Sequence, residues 1–229
     1  MARDPADSWL LAACADPRRG LWGMIFGGAE QRAVVRNIDS PGTDAELTGA
    51  LRLTPAGDPV GPVAATEDAG ERIALLRATG AAGADEPELD APAFGFAGPT
   101  LAKLDSVRIL AAWFPSDRAV GVAAVRPRSG RADRDVVTVL VTGEAEPLAV
   151  FDPRLSTTYD GQGAPLRAGL ELWLGADEDS DQRPLRLATE STGDRLGAEL
   201  GELRLDAYPQ RCHSRGEDGA GVYALLRPR

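Results

Sequence analysis

Short apolar runs broken by turn-forming residues recur along the whole chain, and no other feature restricts its fold as much. "SWLLAAC", "GLWGMIF", "QRAVVRN", "ELTGALRLT", "SVRILAAWF", "AVGVAAVRP", "DVVTVLVT", "PLAVFD", "PLRAGLELWLG", "PLRLATES", "GELRLDAY" and "GVYALLR" all lie between Gly, Pro, Asp or Asn. Their lengths suit strands better than helices, and many carry β-branched residues or alternate in polarity. Only "GERIALLRATG", Gly70 to Gly80, has a spacing that also suits a short helix. Many strands with no helical alternation between them predict an all-β protein, an antiparallel sandwich or barrel.

The 229 residues are enough for one large β domain or two small ones, each with a sizeable core. At 43% hydrophobic and 26% charged residues the chain sits in the ordinary globular range. Its formal net charge of −10 argues against a nucleic-acid partner, which calls for a basic stripe to displace counterions. "LAAC", Leu11 to Cys14, resembles a lipoprotein cleavage box, but Asp4 and Asp7 stand where a signal needs basic and then apolar residues. No apolar run approaches the ~18 residues of a membrane span. Cys14 and Cys212 therefore read as separate thiols in a cytoplasmic protein.

Laying Leu10–Phe26 over Ile109–Val125 superposes two apolar strands joined by a Pro/Asp/Arg turn, with Leu11, Ala12, Ala13 and Arg19 on Leu110, Ala111, Ala112 and Arg118. Between these copies, Gly80 to Thr100 is rich in Gly, Pro and acid, the composition of a linker or long loop. These features place a boundary near residue 98, giving halves 1–97 and 98–229.

Three stretches, "DSWLLAACADPRRGLWGMIF", "FDPRLSTTYDGQGAPLRAGLELWLG" and "DGAGVYALLRP", resemble the bacterial lipocalin-like proteins grouped with hydroxyneurosporene synthase, a carotenoid hydratase. The resemblance implies two consecutive antiparallel lipocalin-like β-barrel or sandwich halves. It also implies binding of an apolar small molecule and, in some members, cofactor-free hydration or cyclisation of polyenes, terpenoids or polyketides. It carries no catalytic residue across.

Candidate site residues come from the residues themselves. Alternation along "PLRAGLELWL" sets Leu166, Ala168, Leu170, Leu172 and Leu174 on a core face and Arg167, Gly169, Glu171 and Trp173 on the other. That second face is either solvated or the wall of a mixed-polarity cavity, where Gly169 leaves room for a ligand. Upstream, Asp152 and Arg154 are a structural clasp or an acid with its partner. Tyr159 is a plug at a barrel end or a proton donor to a ligand. Asp160 precedes Gly161 in a hairpin signal and reads as a turn residue. Trp9, Trp22 and Trp113, like Trp173, pack in the core or line a pocket, where an indole face stabilises a developing cation. His213 and Cys212 are adjacent on a strand and point to opposite faces, which argues against a dyad. "VRPRSGRADRD", Val125 to Asp135, is a charged hairpin rim whose arginines suit an acidic or carbonyl group at a barrel mouth.

No phosphate loop, dinucleotide fingerprint or Gly-x-Ser-x-Gly elbow occurs, and one His with two scattered Cys builds no nitrogen and sulfur metal site. The leading expectation is thus a cofactor-free, metal-free cyclase, hydratase or isomerase of bacterial specialised metabolism, acting on an apolar polyketide or terpenoid in a β-barrel cavity. Its catalytic residues are drawn from Glu171, Tyr159 and Asp152, and its ligand contacts from Trp173, Arg167, Arg154, Trp113, Trp9 and Trp22. A carrier for the same kind of ligand and a cavity-free sandwich are the alternatives. Substrate and oligomeric state stay open.

Overall fold

The computed structural model describes the backbone of strands at 10–16, 21–27, 31–37, 52–55, 78–81 and 94–97, and most of 104–229 except 117, 128–135, 143–149, 175–183, 194 and 201–202; side chains are described only within 105–229. Every described element is a strand: β1 (Leu10–Asp16), β2 (Leu21–Gly27), β3 (Gln31–Asn37), β4 (Arg52–Pro55), β5 (Ala78–Ala81), β6 (Phe94–Ala97), β7 (Leu104–Trp113), β8 (Ala119–Pro127), β9 (Val136–Thr142), β10 (Val150–Tyr159), β11 (Pro165–Leu174), β12 (Leu185–Ser191), β13 (Leu196–Leu200), β14 (Leu203–Ser214) and β15 (Glu217–Pro228). The all-β expectation holds. Most of Gly70–Gly80 lies outside the described residues, and its end enters β5 rather than a helix.

The strands form a four-stranded sheet ordered β3-β2-β1-β6, a two-stranded sheet β4-β5, and a nine-stranded sheet ordered β10-β11-β12-β14-β15-β7-β8-β9, with β13 on β14. All recorded pairings are antiparallel. The outermost strands of the large sheet, β9 and β10, approach each other, so the sheet is rolled into a nearly closed barrel. Both stretches of the internal likeness are antiparallel hairpins, β1–β2 and β7–β8. Their registers differ, however: Ala13 faces Met24, whereas the matching Ala112 faces Val120 rather than Ala123.

The rolled sheet encloses an apolar core that includes Leu110, Phe114, Val122, Leu170, Leu172, Leu187, Tyr208 and Tyr223. Each such leucine adds about 2 kcal/mol by leaving water. β12 alternates buried and exposed as "LRLATES" reads. β15 instead buries Ala220 to Leu226 without a break, and β7 buries Ile109 to Trp113, with Phe114 buried just beyond its end. Both faces of these strands are covered, because β1 lies against β7 and β15 on the side away from the rolled core. The Gly-x-Gly of "DGAGVYALLR" has a packing cause: a Cβ on Gly221 would come within 2.5 Å of the Ala111 carbonyl and 2.6 Å of Cys212 Sγ, and one on Gly219 would strike the Trp113 carbonyl.

Asp160 is a turn residue, as expected. Its Oδ1 accepts from the Gln162 and Ala164 amides, both at 2.8 Å, although the positive φ of +82° belongs to Gly163 rather than to Gly161. One expectation needs correction. Leu166 is 45% exposed rather than core, because the β10–β11 ladder shifts register between Thr158 and Tyr159 and leaves the start of β11 at the sheet's end. The run "DPRLSTTY" lies within strand β10. A clasp ties the β7–β8 turn to the start of β15: Glu217 accepts from the Ser116 amide and hydroxyl and from Arg118.

Candidate functional site

Pairing register sets the chemistry on the outer face of β10–β12. Ser156, Gly169, Ala188 and His213 stand directly opposite one another across four strands. The next row is Arg154, Glu171 and Arg186, and the row on the other side is Arg167, Glu190 and Arg211. Small residues thus floor a trough between charged rows. A cleft of about 950 Å³ occupies this region, lined by Arg154, Ser156, Gly169, Glu171, Arg186, Ala188 and His213, with Arg108 and Arg215 also on its wall. A Cβ added at Gly169 would come within 3.0 Å of Ser156 Oγ, which lies over the glycine and donates to its carbonyl at 3.3 Å.

The charges on this face are arranged as cross-strand pairs. Arg186 Nε donates to Glu171 Oε1 at 3.0 Å, and Arg167 Nη2 to Glu190 Oε1 at 3.0 Å. His213 Nδ1 lies 2.8 Å from Asp218 Oδ1, across the β14–β15 hairpin. That contact pairs the imidazole with a carboxylate beside the cleft. The hairpin turn that aligns the two residues has positive φ at Arg215 (+53°) and Gly216 (+77°), a conformation that is uncommon for a non-glycine residue. Among the described lining residues, Glu171 is the only carboxylate, and four arginines share the wall with it.

A second polar group lies inside the roll. The Tyr223 hydroxyl is 3.0 Å from Thr157 Oγ1 and 3.2 Å from the Tyr159 hydroxyl. Tyr223 is fully buried, whereas Tyr159 is 39% exposed at the end of the barrel. Burial pushes the Tyr223 phenol well above its ordinary value, and this outweighs the hydrogen bond with Thr157, so the hydroxyl keeps its proton at neutral pH.

The structure therefore gathers Glu171 and Arg154 on one cleft wall and puts Tyr159 in a separate hydroxyl cluster. Trp173, 40% exposed, shares the Glu171 face but does not line the cleft. Arg167 is engaged by Glu190 outside the cleft. Trp113 is buried on the side of β7 opposite Leu110, Ala112 and Phe114. Trp9 and the side chains of Trp22 and Asp152 lie outside the described residues, as does the 128–135 part of the expected charged rim. Cys212 is a buried free thiol while His213 faces outward, as strand geometry requires. Sequence reading missed the pairing of His213 with Asp218. Its signal was "HSRGED", in which a two-residue turn at Arg215-Gly216 sets residues 213 and 218 opposite each other.

Among the described residues, no helix is long and apolar enough to cross a membrane. No family model matches the chain, and no curated protein does. Among solved structures it is similar to CghA with Sch210972, at 10% identity and a TM-score of 0.51, over 96% of this chain and 88% of that one. It also matches CghA alone at 10% identity and a TM-score of 0.49, over 96% and 87% of the two chains. Kievitone hydratase from Nectria haematococca follows at 10% identity and a TM-score of 0.44, over 96% and 88%. At such identity the likeness to the CghA complex is one of fold, an all-β, lipocalin-like architecture that runs through nearly the whole of both chains.

Proposed function

We propose that this chain is a cofactor-free enzyme of bacterial specialised metabolism that seats an apolar polyketide or terpenoid against β10–β12 and cyclises, hydrates or isomerises it. The observation that carries this reading is the cleft, whose volume of about 950 Å³ suits a drug-sized ligand. Its small floor residues leave space for an apolar body, and its rim supplies placed polar groups. Arg154 and Arg186 orient a carbonyl oxygen of the ligand, and Glu171 accepts a hydrogen bond or proton from it. His213, held by Asp218, is a second proton-transfer group on the same wall. Tyr159 and Asp152 remain candidate donors, and Trp173, Arg167, Trp113, Trp9 and Trp22 candidate contacts. The solved complex of CghA with Sch210972 supports the idea that this fold takes an organic small molecule. Kinship with the hydroxyneurosporene synthase group, a division into halves 1–97 and 98–229, and a cytoplasmic location belong to the same proposal.

The test is tryptophan fluorescence titration with polyenes, terpenoids and fatty acids, on the wild type and on Trp173→Phe. A saturable response that shrinks in the variant is expected, with turnover falling at least tenfold in Glu171→Gln. No response to any apolar ligand overturns the reading. A carrier without catalysis is the second reading. It is favoured by one observation: the carboxylate on the described cleft wall already accepts a hydrogen bond from Arg186. Binding that persists with no chemical change in any bound ligand selects the carrier.

A further inference from the structure

At the end of the roll where β14 begins and β15 finishes, Asp206 is buried to 1% exposure and receives three arginines. Arg195 Nε and Nη2 reach Oδ1 at 3.2 and 2.6 Å, Arg204 Nε reaches Oδ2 at 3.1 Å, and Arg227 Nη2 reaches Oδ2 at 3.2 Å. Arg204 and Arg227 stand directly opposite each other in the β14–β15 ladder. Like charges in that position repel, and a single carboxylate neutralises only one of the three cations. The guanidiniums are each about half exposed, so their outer edges face water while Asp206 lies beneath them.

Donor arithmetic points the same way. Each guanidinium offers five N–H groups, and Asp206 engages only one or two nitrogens of each. None of the three has another partner among the described residues. Glu199 stands opposite Arg204 in the β13–β14 ladder; two other titratable groups near the cluster are engaged or neutral. The Asp160 carboxylate is taken up by the Gln162 and Ala164 amides. Tyr208, buried on the same face of β14, has its phenol pushed up by burial and stays neutral. A chain of net charge −10 thus gathers three half-exposed planar forks over one buried carboxylate, the group best matched to oxyanions.

We propose that Arg195, Arg204 and Arg227, organised by Asp206, form a binding site for an oxyanion carrying two negative charges, a phosphate monoester or a dicarboxylate. Asp206 is a positioning residue that holds the forks in place before the ligand arrives, so little side-chain freedom is lost on binding. The site shares no residue with the described cleft wall and does not depend on the cleft's role.

The experiment is isothermal titration of the full chain at constant ionic strength with inorganic phosphate, succinate and acetate. Saturable binding of phosphate or succinate is expected, with acetate at least about tenfold weaker. Loss of one charged hydrogen-bonding fork should weaken the dianion about tenfold or more in Arg227→Gln and in Arg195→Gln. Circular dichroism identifies which variants remain folded. Tighter phosphate than succinate identifies a phosphoryl ligand, and the reverse identifies a dicarboxylate. The proposal is overturned if the wild type binds neither dianion saturably, if acetate binds equally well, or if a folded variant keeps wild-type affinity.

Discussion

β7 and β15 are covered on both faces, whereas β12, in the same sheet, is covered on one. In β15 seven consecutive residues are buried; in β12 buried and exposed residues alternate. The number of layers over a strand is therefore written in the period of its sequence. "GVYALLR" and "RILAAWF" read as continuous apolar runs because β1 lies beyond them, and "LRLATES" alternates because its outer face meets water. The covered strands use small residues and glycine where backbones approach, and the open ones carry arginine and glutamate pairs.

Four substitutions break or sharpen this contrast. Trp113→Ala, on the doubly covered strand, should cost about 3–5 kcal/mol, since a fully buried indole leaves a cavity; urea denaturation reads it directly. Asp206→Asn should cost about 3 kcal/mol by leaving three arginines facing one another. Burial alone would raise the Asp206 carboxyl, but Arg195 and then Arg204 outweigh it and hold it below the usual carboxylate range. A depressed folded value means that this stabilisation is complete above about pH 4, the ordinary unfolded value, and is lost as pH falls through the folded value. Urea midpoints measured from pH 7 downward should therefore converge for wild type and Asp206→Asn in acid. Gly221→Ala, which presses a methyl against Cys212 and the Ala111 carbonyl, should cost about 1–3 kcal/mol. Arg167→Ala, on the open face, should change stability by less than about 0.5 kcal/mol despite its 3.0 Å ion pair with Glu190. A loss at Arg167 comparable to that at Gly221 would mean that the outer face is covered after all.

Strand positions and fold class were legible because apolar runs and turn residues act locally. β10 was legible only at its start, within "PLAVFD", because the rest of the strand, "PRLSTTY", is largely polar and its place at the closing seam depends on partners elsewhere in the sheet. The joint placement of Glu171 with Gly169 followed from simple alternation along β11. The meeting of Glu171 with Arg186 and of His213 with Asp218 depended on register, which turn geometry sets and composition does not reveal. Asp206 was invisible for a further reason: its three arginines come from β14, β15 and the lead into β13, so only the folded sheet brings them together.

Cys212 gives the core a built-in clock. Burial pushes its thiol far above the ordinary range, and its sulfur sits in the space that a side chain at Gly221 would need. No thiolate is available to a reagent while β14 and β15 stay zipped, so in a Cys14→Ser background the rate of alkylation counts the moments when the two longest strands part.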